Sequence, residues 1–236
     1  MRTDPGAGSP PPRAVRLPRP VCPDAELWLV RSFGPPTAAE LAVLDAAERR
    51  RAAALRHPAR AALYVAVHLA LRHLLGERLG VRPDEVVLHR DPGGRPVLAG
   101  RPAALHFSLS HSGGAALLGI ADRVIGVDVQ RVPDASTAEL CGPRLHPAER
   151  AELQARPPAD RPECFARLWA RKEAYLKGLG TGLRRALDAD NLGDGGAGHP
   201  DRPAGWTVLD VPCGRRYAAA VAILDRAVPA ALSRDA

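Results

Sequence analysis

Apolar residues recur at helical spacing along two long stretches of the chain and alternate with polar ones in several short stretches between them. Leu63, Val67, Leu71, Leu74 and Leu75 share one face of a helix predicted over 60–79, which Gly80 is placed to end. Phe165, Leu168, Trp169, Leu176 and Leu179 form a second stripe, predicting a helix over 163–179 behind Pro162. A shorter helix begins after Thr37, where Glu40 completes a capping box ahead of Leu41 and Leu44. Pro147 marks the start of another.

Strand patterns cover 26–30, 86–89, 105–109, 115–121 and 124–129, and then 206–211 and 217–224. Turn residues separate them at 91–94, 122–123 and 213–214. Helices followed by antiparallel strands thus occur twice, which predicts an α+β fold of two similar halves, each with helices packed on a small antiparallel sheet. Residues 1–20 are rich in Pro, Gly and Arg without periodicity and read as a disordered arm. A glycine-rich loop spans 193–198, and 229–236 reads as a tail.

Composition narrows the classes. Of 236 residues, 46% are hydrophobic and 4% aromatic, so Leu, Val and Ala must fill the core. The formal charge of +7 suits phosphorylated small molecules, nucleic acid, anionic lipid or an acidic protein, and does not choose among them. Cys22, Cys141, Cys164 and Cys213 are widely spaced, which argues against a zinc site or a disulfide framework and fits a reducing compartment. No stretch approaches the ~20 apolar residues that span a bilayer. With no signal-peptide core behind Arg2, Arg13, Arg16 and Arg19, the expectation is a soluble, cytoplasmic protein.

Three segments carry candidate chemistry. In 106–114 Phe107 and Leu109 alternate with Ser108 and Ser110, and the strand runs into His111, Ser112, Gly113 and Gly114. Hydroxyls, an imidazole and free backbone N–H groups together suit a phosphate cradle; an ordinary polar turn is the alternative. In 124–130 Ile125, Val127 and Val129 face one way, and Gly126, Asp128 and Gln130 the other. A carboxylate mid-strand costs desolvation unless paired. Bound Mg²⁺ or an arginine would each satisfy Asp128. On the helix of 163–179, Glu173 lies about 40° around from Trp169, at the edge of the buried stripe. A half-buried carboxylate there can ligate a metal or act as a base, or simply form an ion pair with Lys177 at i+4. Lys172, Lys177 and Arg95 add positive charge.

In combination these segments resemble the phosphopantetheinyl transferases of the surfactin-synthetase-activating (Sfp) type. The likeness lies in Gly94-Arg-Pro96, in 107–113, in Ile125-Gly-Val-Asp-Val129, and in 168–178 with Gly180-Thr-Gly-Leu183 behind, and extends over about 49–224. The resemblance implies two pseudo-symmetric halves, 21–122 and 123–228, with coenzyme A in the cleft between them. It implies Mg²⁺ held by Asp128 and Glu173, with Gln130 as a further donor. Coenzyme A would meet Arg95 and Pro96 near its adenine, Ser110 and His111 near its phosphates, and Lys172 and Lys177 as cations, Lys177 on the diphosphate. Glu173 would be the base, with Lys177 and His111 completing the catalytic group. The partner implied is an acidic acyl or peptidyl carrier protein, modified on serine by a monomeric enzyme.

Two positions depart from the family pattern. Gln130 stands where many relatives have glutamate, so a third carboxylate is missing. Leu63 stands where relatives often place an arginine for the 3'-phosphate; Arg60 and Arg56 are the candidates to replace it. A nucleic-acid-binding protein fits the charge, but lacks a zinc spacing, an aromatic run or a recognition motif. A degenerate transferase that only docks carriers fits Gln130 and Leu63, but not the presence of Asp128, Lys172, Glu173 and Lys177 together.

Overall fold

The computed structural model describes residues 14–18, 21–31, 34–91, 94–100, 105–193 and 203–226. Its first sheet contains β1 (Ala14–Arg16), β2 (Ala25–Arg31), β5 (His106–Ser112) and β6 (Ala115–Ala121), in the order β1-β2-β6-β5. Its second contains β7 (Ile125–Arg131), β8 (Trp206–Asp210) and β9 (Tyr217–Leu224), in the order β7-β9-β8. Both are antiparallel throughout. A separate hairpin joins β3 (Leu88–Arg90) to β4 (Pro96–Leu98). Helices α1 (Ala38–Val43), α2 (Ala46–Ala54) and α3 (Pro58–Leu79) precede the hairpin, and α4 (Ala135–Cys141), α5 (Pro147–Ala155) and α6 (Arg161–Leu179) follow β7. The fold is α+β, as the element order predicts.

Alternation along the strands builds the layers. Ala116, Leu118 and Ile120 of β6 pack with Leu63, Val67, Leu71 and Leu74 of α3. Ala115 and Leu117 point the other way, into a core shared with Ile125, Val127, Val129, Val221 and Ile223 of the second sheet. The opposite face of that sheet, Ala218, Ala220 and Ala222, receives Ala166, Ala170 and Ala174 of α6. Each sheet therefore has a long helix on its outer face and the other sheet on its inner face.

Helix ends follow the local chemistry. Thr37 and Asp45 form capping boxes with Glu40 and Glu48, and Gly80 and Gly180 end α3 and α6 at φ of 68° and 75°, conformations that glycine adopts at little cost. Pro162 lies within the first turn of α6 rather than ahead of it, at a position where its missing N–H has no partner to lose.

One expectation is corrected. Residues 14–16, assigned to a disordered arm, pair with β2 in the register Ala14↔Val30, and Ala14 joins the core. Three residues among prolines show no periodicity of their own; their order comes from the edge they pair with. The rest of that arm before residue 14, the loop residues 194–198 and the tail 229–236 lie outside the described residues.

Candidate functional site

The site lies where the edge strands of the two sheets meet. At that seam β5 and β7 are joined by serine side chains. Ser108 Oγ accepts from the Val127 N–H at 3.1 Å, Ser110 Oγ donates to Asp128 Oδ1 at 2.6 Å, and Ser112 Oγ accepts from the Arg131 N–H at 3.0 Å. The polar alternation of β5 thus points its hydroxyls at the neighbouring strand.

Asp128 is 1% exposed and carries three donors. Besides Ser110, Lys177 Nζ lies 2.5 Å from Oδ1, and Gln130 Nε2 donates to Oδ2 at 2.8 Å. The last bond is possible because residues two apart on a strand share a face. Their face is that of α6, which approaches so closely that a Cβ on Gly126 would lie 1.9 Å from the Ala174 carbonyl oxygen. That approach sets Glu173 and Lys177 against β7.

Glu173 is half-buried and accepts no hydrogen bond among the described residues. Burial, and then the charge of Asp128, raise its pKa above the usual carboxylate range, while Lys177 works in the opposite direction. The i,i+4 pair of Glu173 with Lys177 is not formed; the ammonium is on Asp128 instead. His111 stands exposed beside them. Desolvation on its protein-facing side, followed by the charge of Lys177, lowers its pKa.

The other sequence candidates distribute as follows. Arg95 Nη1 donates to the Lys177 carbonyl at 2.9 Å, tying the hairpin to the last turn of α6 beside the cluster, with Pro96 opening β4 next to it. Arg60, exposed in the first turn of α3, is near enough to His111 to act on its charge. Arg56 is exposed ahead of α3, and Leu63 is buried in the core cluster that also holds Trp28 and Ile120. Lys172 is not brought to the cluster. It is 2% exposed, with Nζ 2.8 Å from Glu149 Oε2 of α5 and 2.7 Å from the Asp190 carbonyl. One residue along a helix turns a side chain by about 100°, which separates Lys172 from Glu173. Nor is the Gly114 N–H free for an anion: it donates to the Tyr217 hydroxyl at 3.1 Å.

Sequence reasoning passed over Tyr64, His68 and Arg90. Tyr64 and His68, one turn apart on α3, stack with ring centroids 3.9 Å apart. Arg90 of β3 acts electrostatically on both. The i, i+4, i+8 spacing of Arg60, Tyr64 and His68 was the available signal.

Among the described residues no group of three or more His, Cys, Asp or Glu side chains converges as a metal site. The candidate donors are the buried Asp128 carboxylate, the Gln130 amide bonded to it, and Glu173, which lies within electrostatic range of Asp128 and accepts no hydrogen bond among the described residues. Two carboxylates are enough for Mg²⁺, which takes its remaining ligands from water and phosphate oxygens. Lys177 on Asp128, Arg95 on the Lys177 carbonyl and Arg60 within electrostatic range of His111 supply positive charge that suits a phosphorylated substrate.

Residues 124–205, which include Asp128, Glu173 and Lys177, match the family model of the 4'-phosphopantetheinyl transferase superfamily. The chain is 32% identical over 192 residues to 4'-phosphopantetheinyl transferase HetI of Nostoc sp., covering 77% of this chain and 79% of the relative. This chain belongs to the 4'-phosphopantetheinyl transferase superfamily. Other members in the comparison are a 4'-phosphopantetheinyl transferase of Bacillus subtilis, 26% identical over 63% of this chain and 66% of the relative, and 4'-phosphopantetheinyl transferase Sfp of Bacillus subtilis strain 168, 25% identical over 50% and 52%. In this superfamily member the matched segment begins at the strand that carries Asp128 and contains the helix that carries Glu173.

Proposed function

We propose that the chain transfers the 4'-phosphopantetheine arm of coenzyme A to a serine of an acyl or peptidyl carrier protein, releasing adenosine 3',5'-bisphosphate, with Mg²⁺ at Asp128 and Glu173. The observation that carries this reading is a buried Asp128 held by Lys177 close to a partly desolvated Glu173 that accepts no hydrogen bond among the described residues.

In this reading the carrier serine oxygen forms a bond to the phosphorus that bears pantetheine, and the bond from that phosphorus to the adenosine bisphosphate oxygen breaks. The serine proton passes to Glu173, whose raised pKa makes it a better acceptor than an exposed carboxylate. Lys177 balances charge on the leaving phosphate, and His111, Arg60 and Arg95 orient the diphosphate and nucleotide. Mg²⁺, when bound, supplies Lewis-acid stabilisation of the diphosphate. Gln130, whose amide nitrogen is turned to Asp128, serves mainly to hold that carboxylate.

The halves 21–122 and 123–228 act as pseudo-symmetric walls of the substrate cleft. The partner is an acidic carrier, which a +7 enzyme meets faster through complementary charge. Four cysteines outside any disulfide accord with a monomer working in a reducing cytoplasm, and among the described residues no helix is long and apolar enough to cross a membrane.

The test is intact mass of an apo carrier protein incubated with the chain, coenzyme A and Mg²⁺. The carrier should gain the phosphopantetheine mass, and EDTA or Glu173→Gln should abolish the gain. No gain with any of several carriers would refute the activity.

A further inference from the structure

We propose that Lys177 is a resident counter-ion for Asp128 which moves to the substrate's phosphate when a divalent cation arrives, so that one ammonium serves two anions in turn. The inference rests on the function proposed above.

A carboxylate as buried as that of Asp128 needs compensation in the metal-free protein. Ser110 and Gln130 supply only neutral dipoles; Lys177 supplies the full charge. Of these three donors the serine is buried in the seam, whereas the Lys177 side chain is 26% exposed on a flexible stem. Oδ1 accepts from both Ser110 and Lys177, so an incoming cation must take the place of one of them to reach that oxygen. The ammonium is the mobile one, and it gains most by leaving, because cation and ammonium repel each other.

Glu173 completes the arrangement. Its ordinary partner at i+4 is Lys177, yet the ammonium is on Asp128 and Glu173 is left without a hydrogen bond. One carboxylate is therefore neutralised internally, and the other is open to a ligand.

Composition supports a role that needs an ammonium. Of 33 basic residues only Lys172 and Lys177 are lysine, and the other 31 are arginine. Lys172 is fixed by Glu149 in a buried pair. An arginine at 177 would grip a carboxylate through a planar fork, whereas an ammonium is a compact charge that rotates freely and changes partner at smaller cost.

Two measurements test the proposal. With Mn²⁺ alone, without coenzyme A, Lys177→Met should bind the ion about tenfold more tightly than the wild type, read by electron paramagnetic resonance titration. Unchanged or weaker binding would overturn the proposal. In wild-type protein labelled only at lysine, two ε-methylene signals are expected, because the chain has two lysines. Mg²⁺ alone should make the Lys177 signal mobile and leave that of Lys172 unchanged, and coenzyme A should then immobilise it again. A Lys177 signal that stays immobile while calorimetry shows Mg²⁺ bound would overturn the exchange, with the transferase reading intact. Absence of Mn²⁺ binding by either protein, with phosphopantetheine transfer persisting in EDTA, would overturn the proposal and the metal assignment together.

Discussion

The hydroxyl of Ser110 donates to the carboxylate of Asp128 at 2.6 Å, across a seam where two sheets meet without a backbone ladder. Removing it leaves a buried charge one donor short. Ser110→Ala should cost about 1.5–3 kcal/mol of stability, the range for a hydrogen bond to a charged group. Ser112→Ala, at the more exposed end of the same row, should cost clearly less. Urea denaturation of both variants decides the order, and equal costs would contradict the picture of a strained need at Asp128.

Gly126 tests the contact between strand and helix. A Cβ there meets the carbonyl of Ala174, and backbone cannot step aside as a side chain can. Gly126→Ala should lose about 3 kcal/mol or more, and transfer activity should fall even at temperatures where the variant stays folded, because α6 carries Glu173. Gly178→Ala presses instead on the ring of Trp206, which can tilt, so its penalty should be smaller. Thermal melts and activity at low temperature measure both effects.

His68 gives the fold a pH dependence. Burial pushes its pKa down to about 4, with Arg90, Arg72 and His111 adding to the effect and the bond from its Nδ1–H to the Tyr64 carbonyl opposing it. The folded state holds the neutral ring. Its contribution to stability is therefore complete above the ordinary histidine value, near 6.5, and is lost as pH falls from there toward about 4. The loss should approach about 3 kcal/mol. In His68→Phe that part of the acid slope should disappear, as urea midpoints at pH 7 and pH 5 would show.

Lys172 separates structure from substrate binding. Its ammonium lies in a pair with Glu149, which is 0% exposed. Lys172→Met should cost about 3–5 kcal/mol by leaving that carboxylate unpaired, while the KM for coenzyme A stays within about twofold of wild type. A large rise in KM with stability unchanged would return Lys172 to the substrate site.

What the sequence could disclose depended on how far each side chain reaches. The stripes of α3 and α6 and the alternation of β7 were readable because burial on one face imposes a period. The same alternation puts Asp128 and Gln130 on one side of the strand. The partners were not readable. Nothing local joins Ser110 to Asp128, Lys172 to Glu149, or Arg95 to the carbonyl at the end of α6, because each of those contacts closes between elements that only the tertiary fold brings together. Gly114 shows the same limit from the other side: its freedom to bind an anion was inferred from residue type, and a tyrosine from β9 takes the N–H. The strand at Ala14 was invisible because an edge, not a pattern, defines it.

Where α6 rests on β7 and β9, alanine and glycine form the centre of the contact surface, and at Gly126 helix backbone and strand backbone all but touch. A joint of that kind behaves as a hard stop and not as a cushion. Leucines and valines elsewhere can breathe through alternative rotamers while the supports of the two acidic groups stay in register, since at Gly126 the carbonyl of Ala174 leaves no room for a side chain as a spacer. The spacing of Asp128 and Glu173 is in effect machined into the main chain, and warming should leave it true until the fold gives way at once.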